Sequence, residues 1–339
     1  MRILIERLDH IGDIIIALPL VQLLRRHLPS VHITFLQASY TLALQPYLKG
    51  VDQALDWGVL QKLPPEQAVA RIRAEQFDAF LILTDEAYGL PALKLAQAAK
   101  IPIRICNFRF KRYRFRCTRW VQHSYGRSGS HMAENFMVLA RRLGIKSFPS
   151  LAQLCQQTYL RAAPVPAWLT QQLASDAPNV ILHPGSQGNG REWPMSSFLA
   201  LAKRLAEAGM RVIFTGVAAD QALLPAEEIL HSNIRILFGQ TSLVDLLALL
   251  VQARLLIAAG TGPLHMAAAL GRACLGLYPD RKRVNAQTWR PLGPAAAVLT
   301  SGVVNCRQVC SNRDCACMRA LSVDSVWQKV QDMLAVEQV

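Results

Sequence analysis

The stretch NVILHPGSQGNGREWPMSSFLALAKRLAEAGMRVIFTG, residues 179–216, predicts the fold of the second half of the chain. An apolar run, NVILH, leads into a glycine-rich turn. An amphipathic segment closed by Gly209 follows, and then a second apolar run, RVIFTG. Strand, helix and strand in this order form a βαβ unit whose two strands lie parallel in one sheet. We therefore expect a doubly wound α/β domain here.

The first half of the chain repeats this alternation. MRILIE predicts a buried strand, RLDHIGD a loop, and IIIALPLVQLLRRHLP a helix packed on a sheet. Two further predicted strands, HITFLQ and DAFLILT, flank the amphipathic AVARIRAEQF. Pro164 and Pro166 then interrupt the pattern, which marks a domain junction. We predict a first domain at 1–165, a second at 172–322, and a helix at 323–339 that packs back toward the first domain.

Composition restricts the class of protein. Of the 339 residues, 52% are hydrophobic and 18% are charged, which is enough apolar material for two cores. No apolar run approaches the ~18 residues that cross a bilayer, and charges interrupt the first apolar run, unlike in a signal peptide. We expect a cytoplasmic protein. Its net charge of +14 favours polyanionic partners: nucleic acid, an anionic membrane surface or acidic small substrates.

Two segments of unusual composition leave alternatives open. RFKRYRFRCTRW, at 109–120, alternates cations with aromatic residues, which is typical of a nucleic-acid surface and also of a solvated basic loop. Near the C-terminus, four of the eight cysteines lack the paired C-x2-C spacing of a structural zinc site. We expect them to be packed thiols and not metal ligands. They are Cys306, Cys310, Cys315 and Cys317.

A carboxylate follows the first predicted strand, in LDHIGD at 8–13. Asp13 stands at the start of the next helix, where Asp is a favoured N-cap. It is alternatively a general base, although a helix N-terminus stabilises the carboxylate and so weakens it as a base. Asp9 is the rival carboxylate.

The glycine-rich turn in the second half predicts an anion site. Gly185, Gly188 and Gly190 precede Arg191, so backbone N–H groups and a cation would face one ligand. The turn lacks the Lys-Ser/Thr of a nucleoside-triphosphate loop and the G-x-G-x-x-G of a dinucleotide site. A plain loop rich in turn residues is the alternative.

Two later strand ends carry similar signals. TGVAAD (215–220) places Asp220 where it could accept bonds from ribose hydroxyls or cap a helix. In AAGTGPLHMAAALG (258–271), Thr261 and the Gly262 amide would suit a diphosphate. His265 could reach the same ligand or be a core histidine.

These motifs, in this order, resemble glycosyltransferase family 9, the heptosyltransferases of lipopolysaccharide core synthesis. The resemblance is specific over the first 30 residues and the second half, and weak between about 40 and 130. Besides the loops above it includes HMAENFMVLARRLGI (131–145), TSLVDLLALLVQARLLIAAG (241–260) and CRQVCSNRDCACMRALSVDSV (306–326).

The resemblance implies a GT-B fold, in which two Rossmann-like domains with doubly wound parallel sheets face each other across a cleft. It implies inverting transfer of a sugar, typically heptose from ADP-heptose, onto the lipid A–Kdo core. Asp13 matches the family's proposed base. Where the family usually has a lysine that is thought to hold the donor phosphate, this chain has Arg191, a planar fork of the same charge. The other residues that the resemblance assigns to the donor are Ser186, Asp220, Thr241, Thr261, Gly262 and His265.

The resemblance also bears on partners and cofactors. No D-x-D motif is present, so we expect a metal-independent enzyme whose only small co-substrate is a nucleotide-sugar. Because the acceptor is an anionic lipid-linked saccharide, we assign Arg112, Arg114 and Arg116 to its phosphates or to the inner-membrane surface, with peripheral attachment and no nucleic-acid partner.

Two alternatives remain at this point. The family often has Asp where this chain has Gly260, so another nucleotide-sugar donor, such as a hexose or N-acetylhexosamine, stays open. A non-catalytic nucleotide- or RNA-binding protein would also suit the basic composition, although no RNA-binding signature accompanies it.

Overall fold

A six-stranded parallel sheet forms the centre of each half of the chain. The computed structural model describes residues 1–107, 113, 115–121, 130–173, 177–224, 231–281, 284–303 and 310–336. The chain divides into two units, Met1–Leu151 and Ala152–Val339. The predicted α/β class with two doubly wound domains is confirmed.

The sheet of the first unit has the strand order β3-β2-β1-β4-β5-β6. Its strands run parallel because helical crossovers return the chain to the same edge each time. The central strands are buried on both faces, as the unbroken apolar run in β1 predicts. The strands are β1 (Arg2–Arg7), β2 (His32–Gln37), β3 (Gln53–Asp56), β4 (Ala79–Ile82), β5 (Ile103–Asn107) and β6 (Arg119–Val121).

Helices cover this sheet. The long apolar helix α1 packs against α5, and α3 packs against α4. The described helices of this unit are α1 (Ile11–His27), α2 (Trp57–Leu60), α3 (Pro65–Ala74), α4 (Glu86–Ala98) and α5 (Met132–Met137), with 3₁₀ helices at Ser39–Tyr47 and Val138–Leu143. Another helix, α6 (Leu151–Cys155), begins at the division between the units.

The second sheet repeats the topology of the first. Its order, β9-β8-β7-β10-β11-β12, is again the 3-2-1-4-5-6 arrangement of a dinucleotide-binding-type sheet, with a reversal between β7 and β10. The strands are β7 (Asn179–His183), β8 (Arg211–Gly216), β9 (Ile234–Phe238), β10 (Leu255–Ala259), β11 (Cys274–Tyr278) and β12 (Ala296–Thr300).

The βαβ unit predicted for residues 179–216 is present. Its helix ends before Gly209, which has the positive φ of +81° that favours glycine after a helix. The helices of this unit are α7 (Ala167–Leu173), α8 (Met195–Glu207), α9 (Leu243–Gln252), α10 (Gly262–Ala269), α11 (Ala286–Trp289), α12 (Ala316–Arg319) and α13 (Val323–Val336), with a 3₁₀ helix at Ala218–Leu223.

The division between the units lies earlier than the predicted junction near 165. The segment after Leu151 is bonded to the second unit, because the N–H groups of Tyr159 and Leu160 both donate to the Ala269 carbonyl, at 2.7 and 3.0 Å. Tyr159 is fully buried there. The prolines that suggested the junction therefore lie within the second unit.

The C-terminal helix α13 belongs to the second unit. It packs against α8, with Val326 and Val330 buried in that unit's core, and its predicted packing toward the first domain stays a prediction. Arg254 Nη2 donates to the Leu334 carbonyl at 3.1 Å. In the described part of the chain, no helix is both long and apolar enough to span a bilayer.

Candidate active site

Every chemical motif predicted from the sequence follows the carboxyl end of a parallel strand. They are Asp13 after β1, the 184–194 loop after β7, Asp220 after β8, and Thr261 after β10. In sheets of this order, ligands bind where the strand order reverses, which is between β1 and β4 and between β7 and β10. Both reversals are therefore candidate sites.

A buried arginine holds two carboxylates at the end of β1. Arg7 Nη2 lies 2.5 Å from Asp13 Oδ1, and Arg7 Nη1 lies 3.0 Å from Asp9 Oδ2. Nη1 also donates to the Leu83 carbonyl at 3.0 Å. The guanidinium carbon lies 4.8 Å from the centre of the Phe136 ring. These contacts fix both carboxylates at the carboxyl end of β1.

Asp13 is the third residue of α1 and not its N-cap. The alternative prediction, that Asp13 is the N-cap, is therefore wrong. The N-cap is His10, whose N–H donates to Asp13 Oδ2 at 3.3 Å. Each Asp13 oxygen thus accepts one described bond and keeps a further lone pair. Burial raises the pKa of the rival Asp9 above its ordinary value, against the opposing effect of Arg7.

Tyr40 is a neighbour of this cluster that the sequence patterns did not indicate. Its hydroxyl donates to the Asp9 carbonyl at 3.2 Å and lies 3.4 Å from His10 Nδ1. Burial, followed by the charges of Asp13 and Asp9, raises the pKa of Tyr40 to about 12. Tyr40 is therefore a neutral hydrogen-bonding group beside Asp13.

The predicted acceptor arginines are only partly described. Arg112 and Arg114 lie outside the described residues. Arg116 is described, and its Nη1 donates to Gln97 Oε1 at 2.7 Å. One of its five N–H donors is therefore engaged within the unit.

In the second unit, the 184–194 loop is folded around a buried glutamate. The Ser186 N–H donates to Glu192 Oε1 at 2.8 Å, and the Ser186 hydroxyl lies 2.7 Å from the same oxygen. Ser186, predicted to contact the donor, is itself buried and bonded within the loop. The structure gives Ser186 and Glu192 a role in shaping the loop that the glycine spacing did not reveal.

The loop is braced by a segment that lies far along the chain, at 310–313. Arg191 Nη1 donates to the Cys310 carbonyl at 2.7 Å, and the Glu192 N–H donates to the Asn312 carbonyl at 2.8 Å. The Asn312 amide donates in turn to the Gly188 carbonyl. The predicted phosphate-binding arginine thus owes its position to the cysteine-rich tail.

Asp220 lies below this loop. An added Cβ on Gly185 would lie 2.5 Å from Asp220 Oδ2, and one on Gly216 would clash with the same oxygen. The carboxylate accepts the Val217 N–H at 2.9 Å, and burial raises its pKa. Gly185 and Gly216 therefore leave the space that the Asp220 carboxylate occupies, and the Val217 N–H fixes its position.

The turn before α10 carries a buried hydroxyl without a partner. Thr261 is 7% exposed, and its Oγ1 makes no hydrogen bond among the described residues. Thr261 is the N-cap of α10, whose first N–H groups, beginning with Gly262, have no partner within the helix. His265 is buried one turn later. The Thr261 hydroxyl and the Gly262 amide therefore form a candidate anion site.

The loop and this turn touch each other. An added Cβ on Gly190 would lie 3.3 Å from the Gly260 carbonyl oxygen. The motifs after β7, β8 and β10 are therefore brought together at the reversal of the second sheet. Thr241 lies apart from them, before the N-cap of α9 and two strands from β7.

Gly260 is required by the neighbouring Tyr278 ring. A Cβ on Gly260 would lie 2.6 Å from Tyr278 Cε1, and one on Gly276 would lie 2.7 Å from Cε2. The Tyr278 hydroxyl donates to the Trp289 carbonyl at 2.7 Å, and burial raises the pKa of the phenol. An aromatic ring thus fills the space that a side chain at position 260 would need.

His183, at the end of β7, is a further polar group that the sequence reading passed over. Its Nδ1 lies 2.9 Å from Thr215 Oγ1. Burial lowers the pKa of His183 to about 4, so the imidazole is neutral near pH 7. The position of His183 at the end of a predicted strand, just before the glycine-rich turn, could have indicated this polar group from the sequence.

The late cysteines pack as expected where they are described. Cys315 and Cys317 are buried thiols in the core of the second unit, and Cys310 is a free thiol. Cys306 lies outside the described residues. Within the described ranges, no group of three or more His, Cys, Asp or Glu side chains could hold a metal ion.

Comparison with known families decides the class of protein. The model of the family described as "Glycosyltransferase family 9 (heptosyltransferase)" matches residues 67–317, well over half of the chain. The chain belongs to glycosyltransferase family 9. It is therefore an enzyme that transfers a sugar, and the resemblance noted in its motifs is confirmed.

Individual family 9 members share both sequence and fold with it. The lipopolysaccharide core heptosyltransferase OpsX of Haemophilus influenzae is 24% identical over 287 residues, which cover 81% of this chain and 78% of that protein. The structure of E. coli ADP-heptose lps heptosyltransferase II superimposes with a TM-score of 0.78 at 19% identity and covers 100% of both chains. That of E. coli heptosyltransferase WaaC with ADP gives 0.71 at 15% identity, over 98% of this chain and 100% of that one. The expected GT-B fold is confirmed.

Glu6, beneath the Asp13 cluster, makes stability depend on pH. It is fully buried, and its Oε2 accepts the N–H groups of Leu83 and Thr84 at 3.3 and 3.2 Å. Oε1 has no partner among the described residues. Burial raises the pKa of Glu6 from 4.5 to about 7. Between these values the folded chain binds more protons than the unfolded chain, so stability falls as pH rises.

We expect Glu6→Gln to remove this dependence. This shift in the pKa of Glu6 corresponds to about 3 kcal/mol of unfolding free energy. The wild type loses that stability as the pH rises from 4.5 to 7 and does not regain it at higher pH. In urea unfolding, the free energy of unfolding of the variant relative to that of the wild type should be higher at pH 8 than at pH 5. The exposed Glu66→Gln is the matched control, and an equal gain in that variant would contradict the assignment.

Proposed function

We propose that this chain catalyses inverting transfer of heptose from ADP-heptose onto the lipid A–Kdo core of lipopolysaccharide. Family membership supports the reaction class, and the names of its relatives support the donor and the acceptor. The observation that carries the proposal is the anion site where the 184–194 loop meets the turn before α10.

On the donor side, the groups at that site suit a diphosphate. The Thr261 hydroxyl, which has no partner among the described residues, and the Gly262 amide at the start of α10 present hydrogen-bond donors. Arg191 keeps four N–H donors beyond the one given to Cys310. As the bond between the sugar and the diphosphate breaks, negative charge grows on the departing oxygens, and preorganised donors stabilise it.

On the acceptor side, Asp13 is the proposed base. The acceptor hydroxyl oxygen attacks the anomeric carbon while the bond to the diphosphate breaks, and the hydroxyl proton passes to an Asp13 oxygen. A single displacement of this kind inverts the anomeric centre. Arg7 holds the carboxylate in place, and the Tyr40 hydroxyl lies next to it at the same strand ends.

The acceptor is an anionic glycolipid, and its phosphates would suit the basic segment of the first unit. We assign them to Arg112, Arg114 and Arg116, and the enzyme to the cytoplasmic face of the inner membrane as a peripheral protein. No nucleic-acid partner is part of this proposal.

A panel of nucleotide-sugars tests the donor. A ligand present at 100 times its Kd stabilises the folded state by about 2.7 kcal/mol, which a thermal-shift assay detects. ADP-heptose and ADP should raise the melting temperature, and UDP-linked sugars should not. Transfer of radiolabelled heptose to purified Kdo–lipid A completes the test. Stabilisation by a UDP-sugar with no response to ADP would reject the donor.

Metal independence is tested separately. The positive charges of Arg191 and α10 replace the divalent ion that many glycosyltransferases bind through paired carboxylates. We expect activity to be unchanged, within about twofold, after dialysis against EDTA. Loss of activity that magnesium or manganese restores would contradict this expectation.

Tyr278 favours one alternative donor. The ring occupies the space beside Gly260, so no carboxylate at that position can bind the donor's sugar hydroxyls. A hexose or N-acetylhexosamine linked to another nucleotide is therefore the second candidate, and the same panel distinguishes it from ADP-heptose.

A further inference from the structure

Three arginines of the first unit line one surface cavity. The cavity has a volume of about 460 Å³ and is lined by Thr118, Arg119, Trp120, Arg141 and Arg142. None of these is acidic. None of the ion pairs formed among the described residues involves the three guanidinium groups. Such a concentration of like charge is unfavourable unless an anion offsets it.

Local bonds hold these guanidinium groups in position. Arg119 Nη1 donates to the Arg142 carbonyl at 2.6 Å, and Arg142 Nε donates to the Trp120 carbonyl at 2.6 Å. The Arg141 guanidinium carbon lies 5.3 Å from the centre of the Phe148 ring. Each backbone bond uses one of five N–H donors. The other donors remain for an external ligand, and planar guanidinium groups match the oxygens of phosphate.

A second depression with an exposed aromatic ring lies in the same segment of the chain. It is lined by Leu90, Lys94, Phe115 and Arg116. The Phe115 side chain is 88% exposed and that of Trp120 is 40% exposed. Exposed aromatic rings among cations are typical of protein surfaces that enter the headgroup layer of a bilayer.

These residues are separate from the Asp13 cluster. The arginine cavity lies at β6, the edge strand, which is three strands from β1 in the sheet order. With neighbouring strands about 4.8 Å apart, the separation is roughly 14 Å. The cavity is therefore not the place where Asp13 would meet a reacting hydroxyl.

We infer that the cavity of Arg119, Arg141 and Arg142, together with the exposed rings of Phe115 and Trp120, docks the enzyme on the phosphate groups of an anionic lipid bilayer. The guanidinium groups bind lipid phosphates, and the two aromatic rings enter the headgroup layer. This inference deepens the proposed function, since a lipid-linked acceptor requires the enzyme at that surface. An arginine near an anionic bilayer contributes about fivefold in affinity, so three together contribute on the order of 100-fold.

The experiment measures sedimentation of the full-length protein with vesicles. The wild type should bind mixed phosphatidylglycerol–phosphatidylcholine vesicles and not pure phosphatidylcholine vesicles. Arg119→Gln/Arg141→Gln/Arg142→Gln should weaken binding by roughly 100-fold. The control Arg26→Gln/Lys62→Gln/Arg71→Gln removes the same charge from exposed positions of the same unit and should lose far less.

A second variant guards against misfolding of the first. Phe115→Asp changes only an exposed side chain and should weaken vesicle binding while leaving the melting temperature unchanged. Equal losses in the triple variant and its control would overturn the inference, as would a Phe115→Asp variant that binds like the wild type. Binding of inorganic phosphate at the arginines without vesicle binding would overturn the lipid partner.

Activity separates this inference from the proposed function. With a delipidated, soluble acceptor saccharide, the triple variant should transfer sugar as fast as the wild type. With acceptor embedded in vesicles, it should be much slower. If the wild type transfers to neither acceptor yet binds anionic vesicles, the proposed function fails and the docking surface stands.

Discussion

Asp13→Asn should lower kcat by about 10²- to 10⁴-fold while leaving the affinity for the nucleotide nearly unchanged, because a positioned general base contributes that much to a proton transfer. Asn has almost the same shape and can still accept the His10 N–H or face Arg7. The fold of α1 should therefore survive. What the variant loses is a basic oxygen for the acceptor proton. Steady-state kinetics with saturating donor measure the effect.

Asp9→Asn is the matched control, because Asp9 is the other carboxylate bound to Arg7. We expect it to retain kcat to within about tenfold. The opposite result, with Asp9→Asn inactive and Asp13→Asn active, would make Asp9 the base. A circular-dichroism melt of both variants excludes loss of structure as the cause.

Arg191→Ala should lower kcat/KM for the donor by about 10- to 150-fold. A hydrogen bond to a charged group contributes about 1.5–3 kcal/mol, and here the charge lies on the leaving diphosphate. Arg191→Lys should recover part of the loss, because lysine keeps the charge but not the planar fork. Isothermal titration with ADP reports the ground-state part of the effect.

Asn312→Ala should have a smaller effect of the same kind as Arg191→Ala. It removes the amide that donates to the Gly188 carbonyl and leaves Arg191 itself intact, so we expect a smaller rise in donor KM. Asn189→Ala, at an exposed position of the same loop, is the control. If Asn312→Ala binds ADP as tightly as Asn189→Ala and the wild type, the Asn312 amide does not shape the loop.

Local sequence predicted those parts of the structure whose cause is local. The helix after the 184–194 loop was readable from its amphipathic period and from Gly209, and the central strands were readable as apolar runs. Since parallel strands all end at one edge, the motifs after β7, β8 and β10 could be expected to meet. They do meet, through Gly185 with Asp220 and Gly190 with Gly260.

Contacts between distant segments could not be read in this way. Nothing in the glycine spacing indicates that Glu192 folds the loop or that Asn312 supports it. Arg7 was predicted to begin the loop after the first strand, whereas it ends β1 and binds Asp13. The strands β3, β5, β6, β9 and β12 were not predicted either. Four of them are edge strands, which are short and partly exposed, and in β5 Arg104 interrupts the apolar run. The prolines near 165 were given too much weight as a boundary.

The link between Arg191 and Cys310 has a consequence for how the enzyme is made. The two residues are 119 positions apart, whereas the first unit is complete at Leu151. During translation the first unit can fold while the ribosome is still synthesising the second. The 184–194 loop can form its bond to the Cys310 carbonyl only after residue 310 has been synthesised. A nascent chain released before Cys310 would contain Asp13, the proposed base, but would lack the support of the loop that we propose binds the diphosphate.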